Sequence, residues 1–71
     1  MPKKAKSIPF GERLRHLREA AGLSVAELAQ RAGMQRTHVH AIEGGRKRQV
    51  LFDTATRLAA ALGVAVEKFY S

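Results

Sequence analysis

The sequence predicts an all-α domain built from five helices. Apolar residues recur at the three- and four-residue spacing of an amphipathic helix in successive segments of the chain. Glycines follow the ends of four of these segments, where helices commonly stop. No segment alternates polar and apolar residues as a strand would, and 71 residues correspond to one small domain.

The first two helices are marked by their starts and stops. The first begins at residue 10 and ends before Gly22, and its apolar residues are Phe10, Leu14, Leu17 and Ala21. Ser24 and Glu27 form the S-x-x-E pattern of a capping box, in which two side chains satisfy backbone N–H groups at a helix start. The second helix therefore begins at about Val25 and ends at Gly33.

A short turn joins the second helix to a third, which covers roughly residues 36–43. Val39 and Ile42 are the only large apolar residues of the third helix, and they lie on one face. Two short helices joined by a turn of a few residues, with Gly33 where the chain turns sharply, are typical of a helix-turn-helix unit.

The rest of the chain predicts two more helices and an N-terminal arm. The fourth helix covers roughly residues 52–62 and is predicted to bury Phe52, Ala55, Leu58, Ala59 and Leu62. Gly63 ends it, and residues 64–71 are predicted to form a last short helix. Residues 1–9 hold three lysines and two prolines and are predicted to be a flexible basic arm ahead of a domain at 10–71.

The charge is unevenly distributed along the chain. Residues 1–48 contain 11 lysines and arginines against 4 acidic residues, whereas residues 49–71 contain 2 of each. The whole net charge of +7 therefore lies in the first two thirds. This division predicts that the basic part of the chain carries a face that binds a polyanion. It also predicts that the neutral part carries a face for packing or for pairing with a second copy.

The composition argues against several other classes of protein. Without cysteine the chain has no disulfide and no thiolate zinc site, and it shows no membrane span or signal peptide, so we expect a cytoplasmic protein. His38 and His40 point about 200° apart on a helix and cannot share a metal ion. No metalloprotease, dinucleotide or P-loop pattern occurs, so we expect neither an enzyme nor a cofactor.

Three stretches of the chain resemble one known family. They are residues 23–33 (LSVAELAQRAG), 39–45 (VHAIEGG) and 58–64 (LAAALGV). In their order and spacing they are similar to the Cro/CI-type (XRE) helix-turn-helix repressors of bacteria and phages. The resemblance implies a compact five-helix bundle of the lambda-repressor-like type, with helices 2 and 3 as the DNA-reading unit. It also implies a bacterial or phage protein associated with the nucleoid.

The third helix carries the residues expected to contact bases. Because its two large apolar residues point inward, the other side faces outward, and the resemblance implies base contacts at the same positions. These positions are Arg36, Thr37, His40 and Ala41. Arg36 could donate to guanine N7 and O6, and Thr37 and Ala41 could meet a thymine methyl group.

Contacts to the DNA backbone are expected around this helix. The candidates are Val25, through its main-chain N–H group, Gln35, the loop residues Arg46, Lys47 and Arg48, and Lys3, Lys4 and Lys6 of the arm. The alternatives left open are a solvated loop and an arm that only aids solubility.

Two further sets of residues are expected to be structural. The resemblance implies a salt bridge between Arg18 and Glu43 that fixes the third helix on the first. Val66, Phe69 and Tyr70 form the candidate dimer interface, together with the uncharged face of the fourth helix. In the alternative, Val66 and Phe69 close the core of a single chain.

Together these features predict a sequence-specific regulator of transcription that binds double-stranded DNA, with repression as its expected mode. It would read the major groove with residues 36–43, as a homodimer on a palindromic operator. The alternative is an antitoxin or adaptor of the same fold whose main role is to bind a protein partner such as a toxin.

Overall fold

Four α-helices and one short 3-10 helix are present in the computed structural model, which describes residues 9–46 and 49–70. The helices are α1 (Phe10–Ala20), α2 (Val25–Ala32), α3 (Arg36–Glu43) and α4 (Phe52–Leu62), followed by the 3-10 helix Val66–Phe69. No strand occurs among these residues, so the all-α prediction is confirmed.

The expected count of five α-helices is not confirmed. The last segment forms a four-residue 3-10 helix, in which the N–H of Lys68 donates to the carbonyl of Ala65 over 3.0 Å. No side chain caps its start. A short segment without a cap is accommodated by the tighter i to i+3 pattern, which needs fewer residues to close its first hydrogen bond.

One apolar core is shared by all the helices. Its fully buried large side chains are Leu14, Leu28, Val39, Ile42 and Leu58. Buried alanines of α2 and α4 belong to the same core, and Phe69 closes it at the end of the described chain. The inward orientation predicted for Val39 and Ile42 is confirmed, since they are 0% and 1% exposed.

The prediction that Phe52 is buried was wrong, because its side chain is 63% exposed. Phe52 is the first residue of α4 and lies almost one turn before Ala55, the first buried residue of that helix. Side chains on a helix tilt toward its N-terminus, so a residue in the first turn carries its ring past the end of the packed face.

Local signals define both ends of α2. The hydroxyl of Ser24 accepts from the N–H of Glu27 over 3.0 Å, and the carboxylate of Glu27 accepts from the N–H of Ser24 over 2.8 Å. The predicted capping box is therefore confirmed. At the other end Gly33 adopts a left-handed conformation with φ of 69°, which turns the chain from α2 toward α3.

Gly33→Ala is expected to lower the free energy of unfolding by about 1 kcal/mol. An ideal Cβ at this position meets no atom within 4 Å, so the loss comes only from the left-handed backbone. Urea denaturation measures this loss in the free energy of unfolding. Gly33→Asn is the control and should lose less, because asparagine tolerates this conformation; equal losses for the two variants would contradict the explanation.

The capping box also predicts a pH dependence of stability. The backbone N–H of Ser24 lowers the pKa of the Glu27 carboxyl, and the Ser24 hydroxyl lowers it further. A carboxyl with a lower pKa in the folded state stabilises fully above its unfolded pKa, and this contribution is lost as the pH falls through the folded pKa. The stability difference between the natural chain and Glu27→Gln should therefore shrink in acid. A difference that stays constant with pH in urea titrations would contradict this.

Candidate nucleic-acid interface

The outward side of α3 and the chain that follows it form one shallow concave surface, here called the α3 groove. Its lining residues are Thr37, His40, Ala41, Gly44 and Arg46. Three of them are predicted base-contacting residues, and Arg46 is a predicted phosphate-contacting residue. The structure therefore brings together residues that the sequence singled out for two kinds of DNA contact.

The buried side of α3 determines which residues face the groove. Val39 and Ile42 lie in the core, and residues about half a turn away from them lie on the open side. Thr37 and His40 are exposed and Ala41 is half-buried at the edge. Arg36, the first residue of the helix, is also exposed. All four predicted base-contacting side chains lie on the surface or at its margin.

The starts of α2 and α3 differ in what they offer to a phosphate. Gln35 precedes α3 without a side-chain capping hydrogen bond and is exposed, so its amide is accessible. Val25 packs its half-buried side chain against the core, which leaves only its main chain for a contact. The carboxylate of Glu27 lies at the same helix start and adds a negative charge there. We therefore expect the α2 start to attract a phosphate less than Gln35 does.

An ion pair that is largely shielded from water holds the end of α3 against α1. Arg18 Nε lies 2.7 Å from Glu43 Oε2, and Arg18 Nη2 lies 3.0 Å from Glu43 Oε1. The third guanidinium nitrogen donates to the carbonyl of Leu23 over 2.9 Å. The two side chains are only 12% and 8% exposed. The hydrogen bond to Glu43 raises the pKa of Arg18, while burial opposes this shift. This contact joins α1, the start of the helix-turn-helix and the end of α3.

Gly11 provides a second contact between α1 and α3, which the sequence reasoning missed. A Cβ on Gly11 would overlap the carbonyl oxygen of Ile42 and would lie 3.2 Å from Cα of Glu43. The two backbones therefore meet directly, beside the ion pair. The signal in the sequence was weak, because a glycine inside a helical pattern disfavours the helix but does not indicate which element approaches it.

The remaining predicted site residues lie elsewhere or outside the described residues. Phe69 is buried, with its ring centre 4.6 Å from that of Phe10, which is the alternative that the sequence left open. Val66 is half-buried and Tyr70 is exposed. Lys3, Lys4, Lys6, Lys47 and Arg48 lie outside the described residues.

Metal and membrane sites were also considered. Within residues 9–46 and 49–70 no group of three or more His, Asp or Glu side chains is arranged to hold a metal ion. In the same residues, each helix is too short or too polar to cross a bilayer.

Comparison with known proteins gives matches along most of the chain. A family model for a helix-turn-helix domain matches residues 9–69. The restriction-modification controller protein C.AhdI from Aeromonas hydrophila is 37% identical, with a TM-score of 0.82, over 87% of this chain and 92% of that one. No curated protein matches.

Two other solved structures share the fold at lower identity. SinR, a master regulator for biofilm formation solved in complex with DNA, is 26% identical with a TM-score of 0.83, over 87% of this chain and 98% of that one. ClgR, a clp gene regulator from C. glutamicum, is 27% identical with a TM-score of 0.82, over 87% of this chain and 79% of that one.

Proposed function

Because the chain belongs to the Cro/CI-type (XRE) helix-turn-helix family of transcription regulators, we propose that it is a repressor that binds a specific DNA sequence as a homodimer. In this proposal α3 enters the major groove of each half of a palindromic operator. The observation that carries the proposal is the α3 groove, in which Thr37, His40 and Ala41 share one open surface with Arg46.

The outward residues of α3 match the chemistry of base edges. The guanidinium of Arg36 presents two parallel donors to guanine N7 and O6, a contact worth about 1–3 kcal/mol of discrimination. Ala41 presents a methyl group that suits the methyl of thymine, and Thr37 offers both a methyl and a hydroxyl. His40 supplies ring nitrogens for a base edge or a phosphate. Together these four side chains offer both hydrogen-bonding groups and methyl groups to the edges of the bases.

The charge distribution supplies the attraction to the phosphate backbone. The net charge of +7 falls within residues 1–48, the part that contains α3. Arg46 lies at the rim of the α3 groove, where the phosphates of an entered groove would pass. In the proposal Lys47, Arg48 and the lysines of the arm at residues 1–9 add further phosphate contacts.

Selection of bound duplexes from a random pool tests this function directly. A palindromic consensus with half-sites about 34 Å apart is the expected result, since each subunit would read one turn of the duplex. A salt titration of the selected duplex then counts phosphate contacts. Binding that falls steeply with salt but shows no preferred sequence would contradict a sequence-specific regulator.

Arg36 and Arg46 should respond differently to truncation. Arg36→Ala is expected to cost about 1–3 kcal/mol on the selected operator and to relax the preference at one base pair in each half-site. Arg46→Ala should weaken binding to all duplexes alike and reduce the salt slope by about one for each subunit. Titrations of the operator and of a scrambled duplex separate the two effects. The same loss on both duplexes for Arg36→Ala would exclude base readout by this residue.

A further inference from the structure

An apolar patch at the start of α4 lies outside the α3 groove. Leu51 is 75% exposed and Phe52 is 63% exposed, the two highest values among the large apolar side chains of the described residues. Leu51 also lines a hollow of about 120 Å³ together with His38, Ile42, Gln49, Val50 and Thr54. A projecting ring and a largely apolar depression therefore lie next to each other.

We propose that this patch is the contact between two copies of the chain, with Phe52 of each copy seated in the hollow of the other. The proposal deepens the proposed function, on which it rests for the expectation of a dimer. It assigns that dimer to the start of α4 and not to Val66, Phe69 and Tyr70.

The patch has the self-complementary form that a two-fold contact requires. In such a contact residue i of one copy touches residue j of the other, and j touches i in return. One surface must therefore present both the projecting group and the depression that receives it. The hollow is close in volume to the engineered cavity of about 150 Å³ that holds a benzene ring in another protein.

Charge favours this part of the chain as the place where two copies meet. Two chains of net charge +7 repel each other, but residues 49–71 contain equal numbers of basic and acidic side chains. Asp53 and Arg57 form an exposed pair on α4, with 3.3 Å between Arg57 Nε and Asp53 Oδ2. Both signs are thus present beside Phe52, and a two-fold axis can place each opposite its complement.

The proposed contact leaves the α3 groove open. His38 lines the hollow, whereas His40 lines the groove, and residues two apart on a helix point about 200° away from each other. One side of α3 therefore adjoins the dimer contact while the other faces outward. Pairing through Phe52 is compatible with both recognition helices reaching DNA.

Tyr70 offers a matched comparison, because it is the other highly exposed aromatic side chain among residues 9–46 and 49–70. It is 58% exposed, and its ring centre lies 5.9 Å from that of Phe10 in the same chain. Unlike Phe52, it has a ring neighbour in its own chain. The variants Phe52→Ala and Tyr70→Ala thus remove aromatic rings of similar exposure from two different surfaces.

Sedimentation of the full chain without DNA, over a range of concentrations, tests the proposal. The natural chain should show a monomer–dimer equilibrium, and Phe52→Ala should raise the dissociation constant about tenfold or more, because symmetry removes two rings at once. Tyr70→Ala should leave the constant within about twofold. Circular dichroism melts would confirm that the exposed substitutions preserve the fold. A monomer at all concentrations, or dissociation by Tyr70→Ala alone, would overturn the proposal.

A dilution series by NMR gives a test that needs no variant. Amide shifts of residues 38, 42, 49, 50 and 51–54 should move with concentration, whereas those of residues 66–70 should not. The reverse pattern would overturn the proposed contact. Duplex binding separates this inference from the function: a dimer that depends on Phe52 but binds no DNA would refute the function alone. Operator binding by a dimer indifferent to Phe52 would refute the contact alone.

Discussion

Gly11→Ala is expected to lower the free energy of unfolding by about 2–3 kcal/mol, although alanine is the better helix former. In an exposed helix interior this substitution would stabilise by about 1 kcal/mol. At Gly11 the added methyl group would overlap the Ile42 carbonyl oxygen, and a main-chain atom cannot rotate aside as a side chain can. Overpacking of this kind costs roughly 1–3 kcal/mol, and a backbone contact belongs at the upper end.

Urea denaturation of Gly11→Ala and Gly22→Ala together isolates the steric effect. Gly22 lies just after α1 with φ of 74°, and an ideal Cβ there meets nothing within 4 Å. The Gly22 variant therefore measures backbone strain without a clash and should lose about 1 kcal/mol. A Gly11 variant as stable as the natural chain would show that α1 and α3 can separate at little cost. Operator affinity should fall with stability, since the displaced element is the end of α3.

The features that the sequence predicted are mostly local ones. The capping box of Ser24 and Glu27 depends on residues three apart, and the burial of Val39 and Ile42 follows from helical periodicity within eight residues. The bounds of α2 and α3 needed no knowledge of the rest of the molecule. In each case the interaction that fixes the structure is contained in one short stretch of chain.

The features that were missed depend on where an element lies in the assembled fold. Periodicity placed Phe52 among the buried residues of α4, but it cannot show where the packing partners of that helix end. Gly11 follows the helical pattern of α1 like any small residue, and its contact with Ile42 joins positions 31 residues apart in the chain. The hollow beside Leu51 likewise combines residues of α3 with the segment before α4. Such contacts arise only on assembly.

Some of the candidate DNA-binding residues could be predicted from local sequence, and others depend on the assembled fold. The helical periodicity of α3 alone placed Thr37, His40 and Ala41 on the open side of the helix. It could not place Arg46, which follows the helix after two glycines and reaches the same surface only through the turn they form. The ion pair of Arg18 and Glu43 was implied only by the family resemblance, because nothing in either local stretch indicates its partner.

Glu43→Ala should produce the largest loss among the charge substitutions, about 2–3 kcal/mol in the free energy of unfolding, because the pair is only partly buried. Removal of one partner leaves the largely shielded Arg18 guanidinium without the carboxylate that receives two of its hydrogen bonds. Arg15→Ala is the control, because Glu19 itself also interacts electrostatically with Arg18. Glu19 pairs with Arg15 over 3.4 Å on the open surface of α1, where both side chains are more than half exposed. Because water replaces an exposed partner, the control should change stability little.

The same substitution tests whether Glu43 affects DNA binding by holding α3 in place and not by touching the DNA itself. Glu43 lies on the inner side of the end of α3 and bonds to α1, so its effect on operator binding would pass through the placement of that helix. The double variant Arg18→Leu/Glu43→Leu removes both charges of the pair and should recover much of the stability lost by Glu43→Ala. If the ion pair also aligns α3, the double variant should bind the operator more weakly than the natural chain does, at temperatures where both proteins are folded. Full recovery of affinity together with stability would limit the pair to a role in folding, and no change in either property with Glu43→Ala would refute both roles.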